Sequence, residues 1–299
     1  METLPATQKI GPSSSAPDVS FFDITLGPRG PYQVIITPED IARWSRLYDD
    51  NHPWYRGPSP WGFAIAPPSI LYYPSQMFLG RYLIGQSPGA TLPGGFARYV
   101  LENLAPIPVG QPLVVRGDVF DKFVRRGRGY VLYRLEASCE GVVVQRHWKS
   151  WAFGLTPEEA AQFPEKPSEP REELAGPALE TIGPLSYEVT LERMAEFEGP
   201  GERNAHTDPA LAREGGRPLA QGALSFGLLS RLLTEHFGRG YLVGGAVDVR
   251  FIARTYAGER LFAWGELVRV ENETALLRVW AEKADGTRVT VGTARARVV

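Results

Sequence analysis

The sequence predicts an α+β protein built of two similar halves, each a long apolar helix laid against an antiparallel sheet. Three observations predict it. A chain of 299 residues is about twice the usual size of a single core. A strand-opening pattern, G-x-x-L-x-x-x-G-x-apolar, occurs twice, at 110–119 and at 258–267, an offset of 148 residues. The segment from Ala223 to Phe237 is apolar almost all the way round, as a helix buried on every side must be.

The elements follow in chain order. Residues 1–20 are rich in Pro and Ser and are read as a disordered N-terminal segment, without the apolar run of a signal peptide. The first repeat is placed at 21–155. Thr37 followed by Glu39 and Asp40 starts a short helix with an N-cap and early acids. Ala66-Pro67-Pro68-Ser69 opens the first long helix. After Gly110 come alternating strands, with Glu140-Gly141 as the hairpin turn between Tyr130–Cys139 and Val142–Phe153. Residues 156–184, rich in Pro and Glu, read as a linker, and 185–299 as the second repeat.

There Thr190 starts the short helix, Ala220-Gln221-Gly222 opens the long one, and Ala284-Asp285-Gly286 turns the last hairpin. The offset drifts from 148 to 154 residues between the repeats, as it does when loops differ in length and elements do not.

Composition narrows the function. Apolar residues make up 43% and charged ones 22%, the balance of a globular chain, and the formal charge of −2 gives no global field for nucleic acid or an anionic membrane. A single Cys excludes an internal disulfide framework and a multi-Cys metal site, and with only four His no metal is expected. No stretch approaches the roughly 18 apolar residues of a membrane span. The expected compartment is the cytoplasm.

One stretch carries chemistry. Asn204-Ala205-His206-Thr207-Asp208-Pro209, then Gly216-Arg217-Pro218-Leu219-Ala220-Gln221-Gly222 and Leu228-Leu229-Ser230, resembles the MaoC-like (R)-specific enoyl-CoA hydratases. That family's motif reads roughly D-x-N-P-x-H-x-D-P-x-x-A, followed by G-x-x-x-P-x-x-H-G at the start of the central helix. Asp50-Asn51-His52-Pro53-Trp54-Tyr55 is similar to a degenerate first copy, with Tyr55 where the histidine would stand. The resemblance spans about 35–298 and implies a double hot-dog fold, two repeats that each wrap a sheet around a central helix.

By that resemblance the protein is a hydro-lyase that adds water to a 2-enoyl thioester or removes it from a 3-hydroxyacyl thioester. A histidine with a carboxylate can hold and activate the water, and amides at a helix N-terminus can bind the developing enolate oxygen. The implied catalytic residues are His206, Glu202 and Asn204, with Gly222 and Ser230 at the oxyanion. The substrate is an acyl-CoA or acyl-carrier-protein thioester, so that CoA or phosphopantetheine enters with it and no separate cofactor is needed; a homodimer is expected.

Two readings of the carboxylate stand. Gly201 occupies the place of the family Asp, five residues before His206, so either Glu202 replaces it across a shortened loop or the dyad is broken. A broken dyad leaves room for a thioesterase, a natural-product cyclase or isomerase, or a non-catalytic partner of a hydratase. Gln221 stands where many members have His. Asp208, just before Pro209, also has the position of an N-cap. Ser230 sits in an apolar helix, where a serine often bonds only to its own turn. Arg125, Arg126 and Arg128 form a basic turn that would suit the phosphates of the carrier, and otherwise reads as a solvated hairpin.

Overall fold

The computed structural model describes residues 3–5, 20–72, 94–167, 174–199, 204–212 and 215–298. The first repeat contributes β2 (Gly27–Ile35), β3 (Gly95–Asn103), β4 (Pro112–Arg125), β5 (Arg128–Cys139) and β6 (Val142–Gly154). The second contributes β7 (Glu180–Glu188), β8 (Ala246–Phe251), β9 (Arg260–Glu271), β10 (Thr274–Lys283) and β11 (Arg288–Arg297). With β1 (Thr3–Pro5) they form one sheet in the order β1-β2-β4-β5-β6-β3-β8-β11-β10-β9-β7. Each repeat therefore has the same internal order, and the two meet at the antiparallel seam β3–β8, where Val100 lies opposite Asp248. This is the α+β double hot-dog expected from the sequence.

The signals that set the elements act as their chemistry requires. Glu140 and Gly141 both have positive φ (48° and 82°), the two-residue turn that matches strand twist. Thr37 and Asp40 form a capping box on α1 (Pro38–Tyr48), and Thr190 caps α2 (Leu191–Glu198) through Arg193 N. Gly110 N donates to Ile36 O and Gly258 N to Val189 O, both at 2.8 Å, so the two turn glycines tie each repeat's sheet to the start of its short helix in the same way.

α3 (Gly222–Phe237) is the second repeat's central helix, and its buried residues run round every face, from Ala223 and Leu224 to Leu233 and Thr234. In the first repeat Pro68–Leu71 is a 3₁₀ turn, and the apolar run expected to extend it, 73–93, lies outside the described residues.

Two boundaries differ from expectation. Within the segment read as disordered, Thr3–Pro5 pairs in parallel with 33–35 on the exposed edge of β2, because an unpaired strand edge accepts any short extended segment. Within 156–184, Pro157–Ala160 is a one-turn helix capped by Thr156, and Glu180 already belongs to β7, paired with Leu267. Pro157, Glu158 and Glu159, read as part of a linker, form the capped first turn of that helix, and Glu180 and Pro184 lie in an edge strand.

The repeats are also joined through side chains. Arg43 on α1 donates from Nε to Glu196 O (2.6 Å) and from Nη2 to Phe197 O (3.0 Å), closing the last turn of α2. Arg231 on α3 donates to Tyr48 O at the end of α1 (2.7 Å), and Tyr187 OH donates to Leu47 O (3.0 Å). Trp44, Tyr72, Tyr99, Phe197 and Phe226 form an aromatic core between them, with ring centroids 4.5–6.5 Å apart.

Candidate functional site

The site starts from the strap that leads into α3. Ala220 N donates to Thr255 O (2.8 Å), Ala257 N donates to Pro218 O (3.0 Å), and Leu219 pairs with Tyr256. The strap is thus fixed to the loop before β9, and the carbonyl of Leu219 is left free of the sheet. His206 uses it. Its Nδ1 lies 2.5 Å from Leu219 O. A carbonyl can only accept, so Nδ1 carries the proton and Nε2 of the neutral ring keeps its lone pair. The tautomer is the one a general base needs.

Asn204 holds the loop. Its Oδ1 accepts from His206 N (2.8 Å), Thr207 N and Asp208 N both donate to its carbonyl, and its Nδ2 donates to Glu198 Oε2 (3.0 Å). Glu198, the last residue of α2, is 1% exposed. Its other oxygen accepts from Gln221 Nε2 at 2.8 Å. A buried carboxylate is tolerated only when it is hydrogen-bonded, and here it joins three elements: the end of α2, the His206 loop and the start of α3.

Sequence reading passed over Glu198 and gave Gln221 no part. A signal existed for the first. Glu198 is four residues after the buried Met194, which puts a charge on the apolar face of a short helix, and such a charge needs a partner.

Gly222 begins α3, and a Cβ there would fall 3.0 Å from the Phe251 ring, which would have to shift by a few tenths of an ångström to admit it. Gln221 is the N-cap residue but makes no side-chain cap, because its amide is drawn to Glu198 and to Met194 O (3.3 Å). Leu224 N donates to Gln221 O (3.0 Å), which leaves the N–H groups of Gly222 and Ala223 as those without an intrahelical acceptor, and Gly222 lies three residues past the carbonyl that holds His206.

Other expected site residues fall elsewhere. Ser230 is 1% exposed, accepts from Tyr241 OH at 3.4 Å and sits eight residues up α3, roughly 12 Å along the axis from Gly222. Among the described residues no hydrogen bond joins it to His206. Asp208 is the N-cap of Pro209–Leu211, its Oδ1 accepting from Ala210 N. Glu202 lies outside the described residues.

Arg125 and Arg126 line a shallow pocket of about 330 Å³ with Glu165, Lys166 and Pro167. Arg125 stacks over Phe123 and donates to Lys166 O, Glu165 accepts from Arg126 N, and Lys166 pairs with Asp121. Arg128 starts β5 beside them. The cluster belongs to the β4–β5 hairpin of the other repeat, and among the described residues no contact joins it to His206.

The first repeat lacks the same equipment. Ala66 N donates to Ile107 O as Ala220 N does to Thr255 O, so Pro67-Pro68 hold the places of Gln221-Gly222, and neither proline has an N–H. His52 accepts from Trp54 N and packs on Trp54 and Tyr55, and burial lowers its pKa. His147 is buried against Tyr99 OH.

No family model matches the sequence, and no curated protein does. Solved structures do. A "MaoC-like dehydratase" is 15% identical over 94% of this chain and 100% of its own, with a TM-score of 0.73. A conserved protein of Mycobacterium tuberculosis described as having a double hotdog fold is 14% identical over 93% and 97%, with a TM-score of 0.62. A putative oleoyl thioesterase from Lactobacillus plantarum is 13% identical over 92% and 95%, with a TM-score of 0.54.

Proposed function

On this double hot-dog scaffold we propose that the protein is a MaoC-like hydro-lyase acting on a 2-enoyl or 3-hydroxyacyl thioester, with CoA or phosphopantetheine as part of the substrate. The observation that carries the reading is the pairing of His206, its Nε2 lone pair left free by the Nδ1 bond to Leu219 O, with the N-terminus of α3, which no side chain caps, three residues past that carbonyl. A base and an oxyanion site side by side are what addition of water across a conjugated thioester needs. His206 Nε2 takes a proton from water as its oxygen bonds to the β-carbon, and the N–H groups at Gly222 receive the thioester oxygen as it gains enolate charge. Glu198 and Asn204 position this apparatus rather than react.

The assay is loss of conjugated-thioester absorbance with crotonyl-CoA and with longer or aryl enoyl-CoAs. Turnover that falls in His206→Ala supports the reading; no turnover with any acyl group, or full activity in that variant, sinks it. Thioester hydrolysis is the second reading, favoured by the engagement of Glu198 with two amides. Release of free thiol from acyl-CoA would single it out.

A further inference from the structure

The hydrogen-bonding groups on the Glu198 cluster are matched with one exception. Glu198 accepts at both oxygens, Asn204 has its amide between Glu198 and His206 N, and Gln221 gives Nε2 to Glu198 Oε1 and Met194 O. Those two acceptors fix which way round the Gln221 amide lies, since the reverse would set its oxygen against a carboxylate and a carbonyl with no proton between them. Gln221 Oε1 is consequently held on the side away from Glu198 and α2. Among the described residues it has no hydrogen-bond partner, although Gln221 is only 7% exposed. A buried acceptor left unmatched is unfavourable, and it belongs to the N-cap residue of α3, one residue before Gly222 and two past the carbonyl that holds His206. The N–H groups suit an oxyanion. The amide oxygen suits the opposite partner, an O–H.

We infer that Gln221 Oε1 seats the reacting water in hydration and the 3-hydroxyl of the substrate in dehydration, an assignment that rests on the hydro-lyase reading. One O–H of the water points at Gln221 Oε1, and the other proton passes to His206 Nε2 as the oxygen bonds to the β-carbon. The π pair of the alkene moves to the α-carbon and the thioester oxygen. The α-carbon then takes the proton from His206, which returns to its neutral form, and one water has been added. An amide thereby does what a carboxylate does in the resembling motif.

The test uses Gln221→Lys, which keeps a donor for Glu198 and Met194 O but removes the acceptor, beside Gln221→Met, which removes both. Affinities for 3-hydroxybutyryl-CoA and butyryl-CoA are measured by calorimetry. The wild type should favour the hydroxyacyl ligand by roughly fivefold to tenfold, the worth of one good hydrogen bond, and Gln221→Lys should bind the two equally. An unchanged preference in both variants overturns the assignment.

A wild type that binds these thioesters but turns over no enoyl-CoA sinks the hydro-lyase reading alone, because the preference still decides Gln221. If the wild type binds neither, or the variants do not fold, a crystal structure decides. A water or ligand hydroxyl within hydrogen-bond distance of Oε1 is expected, and a dry Oε1 overturns the assignment.

Discussion

Tyr48 of the first repeat occupies the space that a side chain at position 227 of the second would need. A Cβ on Gly227 would fall 2.2 Å from two carbons of the tyrosine ring, whose hydroxyl donates to Ala223 O at 2.8 Å. Gly227→Ala should therefore lose about 1–3 kcal/mol despite the better helix propensity of alanine, because the ring is locked by its bond and by stacking on Tyr187. Chemical denaturation measures this. A Gly227→Ala protein as stable as the wild type would mean that Tyr48 can leave its place.

His206→Ala should lower kcat by about 10²- to 10⁴-fold, the range for removal of a general acid or base, with little change in Tm, since the ring is only half-buried. Steady-state hydration of an enoyl-CoA and a thermal melt give both numbers.

Glu198→Gln should act on both. Glutamine can accept at one oxygen only, so its amide meets either Asn204 Nδ2 or Gln221 Nε2 donor to donor. About 1–3 kcal/mol of stability should go, and turnover should fall by about 10²-fold as the His206 loop shifts. A loss of stability without a larger loss of turnover would make the residue purely structural.

Arg43→Ala tests whether the first repeat supports the site of the second. It removes the donors that close α2 one residue before Glu198, so we expect a loss of about 1–2 kcal/mol and a severalfold fall in kcat with KM little changed. Arg43→Lys, keeping the charge and one donor, should recover part of each. Equal activity in all three proteins would disconnect the helix end from the site.

Burial pushes the Asp50 carboxyl up from its ordinary 3.8 to about 6, against the pull of Arg231. The folded chain then holds that proton more tightly than the unfolded one. The contribution to stability is full below about pH 4 and is lost as pH rises to about 6, by up to about 3 kcal/mol. Asp50→Asn should raise Tm near pH 7.5 and leave it nearly unchanged near pH 4, read from melts across that range. A Tm gain independent of pH would point to another cause.

The repeat was legible because its punctuation is chemical. Gly110 and Gly258 both stand at positive φ, Thr37 and Thr190 both cap, and α3 is apolar on every face. The bonds of Asn204 to His206 and of His206 to the strap before Gly222 fall within one short stretch of sequence, the stretch that carries the resemblance. Glu198 and Gln221 were not legible, since their bond joins the end of one helix to the start of another across 23 residues. Ser230 was placed by the resemblance, which says nothing of what packs against it; Tyr241 follows on a turn that no pattern announced. Thr3–Pro5 was missed because three residues on an edge carry no period.

The seam between the repeats has a bearing on partner choice. Val100 and Asp248 are equivalent positions by the same offset that relates Gly110 to Gly258, and they face each other. Arg98, diagonal to the pair, takes the Asp248 carboxylate as a salt bridge. If two second repeats tried to meet along β8 in this register, Asp248 would face a second Asp248, and like charges directly opposite are unfavourable even with Arg250 of the other copy diagonal to the pair. Two first repeats would meet no such penalty, with valine against valine. The second half thus disfavours its own kind along this edge while the first half does not, so it is the covalent tie that holds the two unlike halves together.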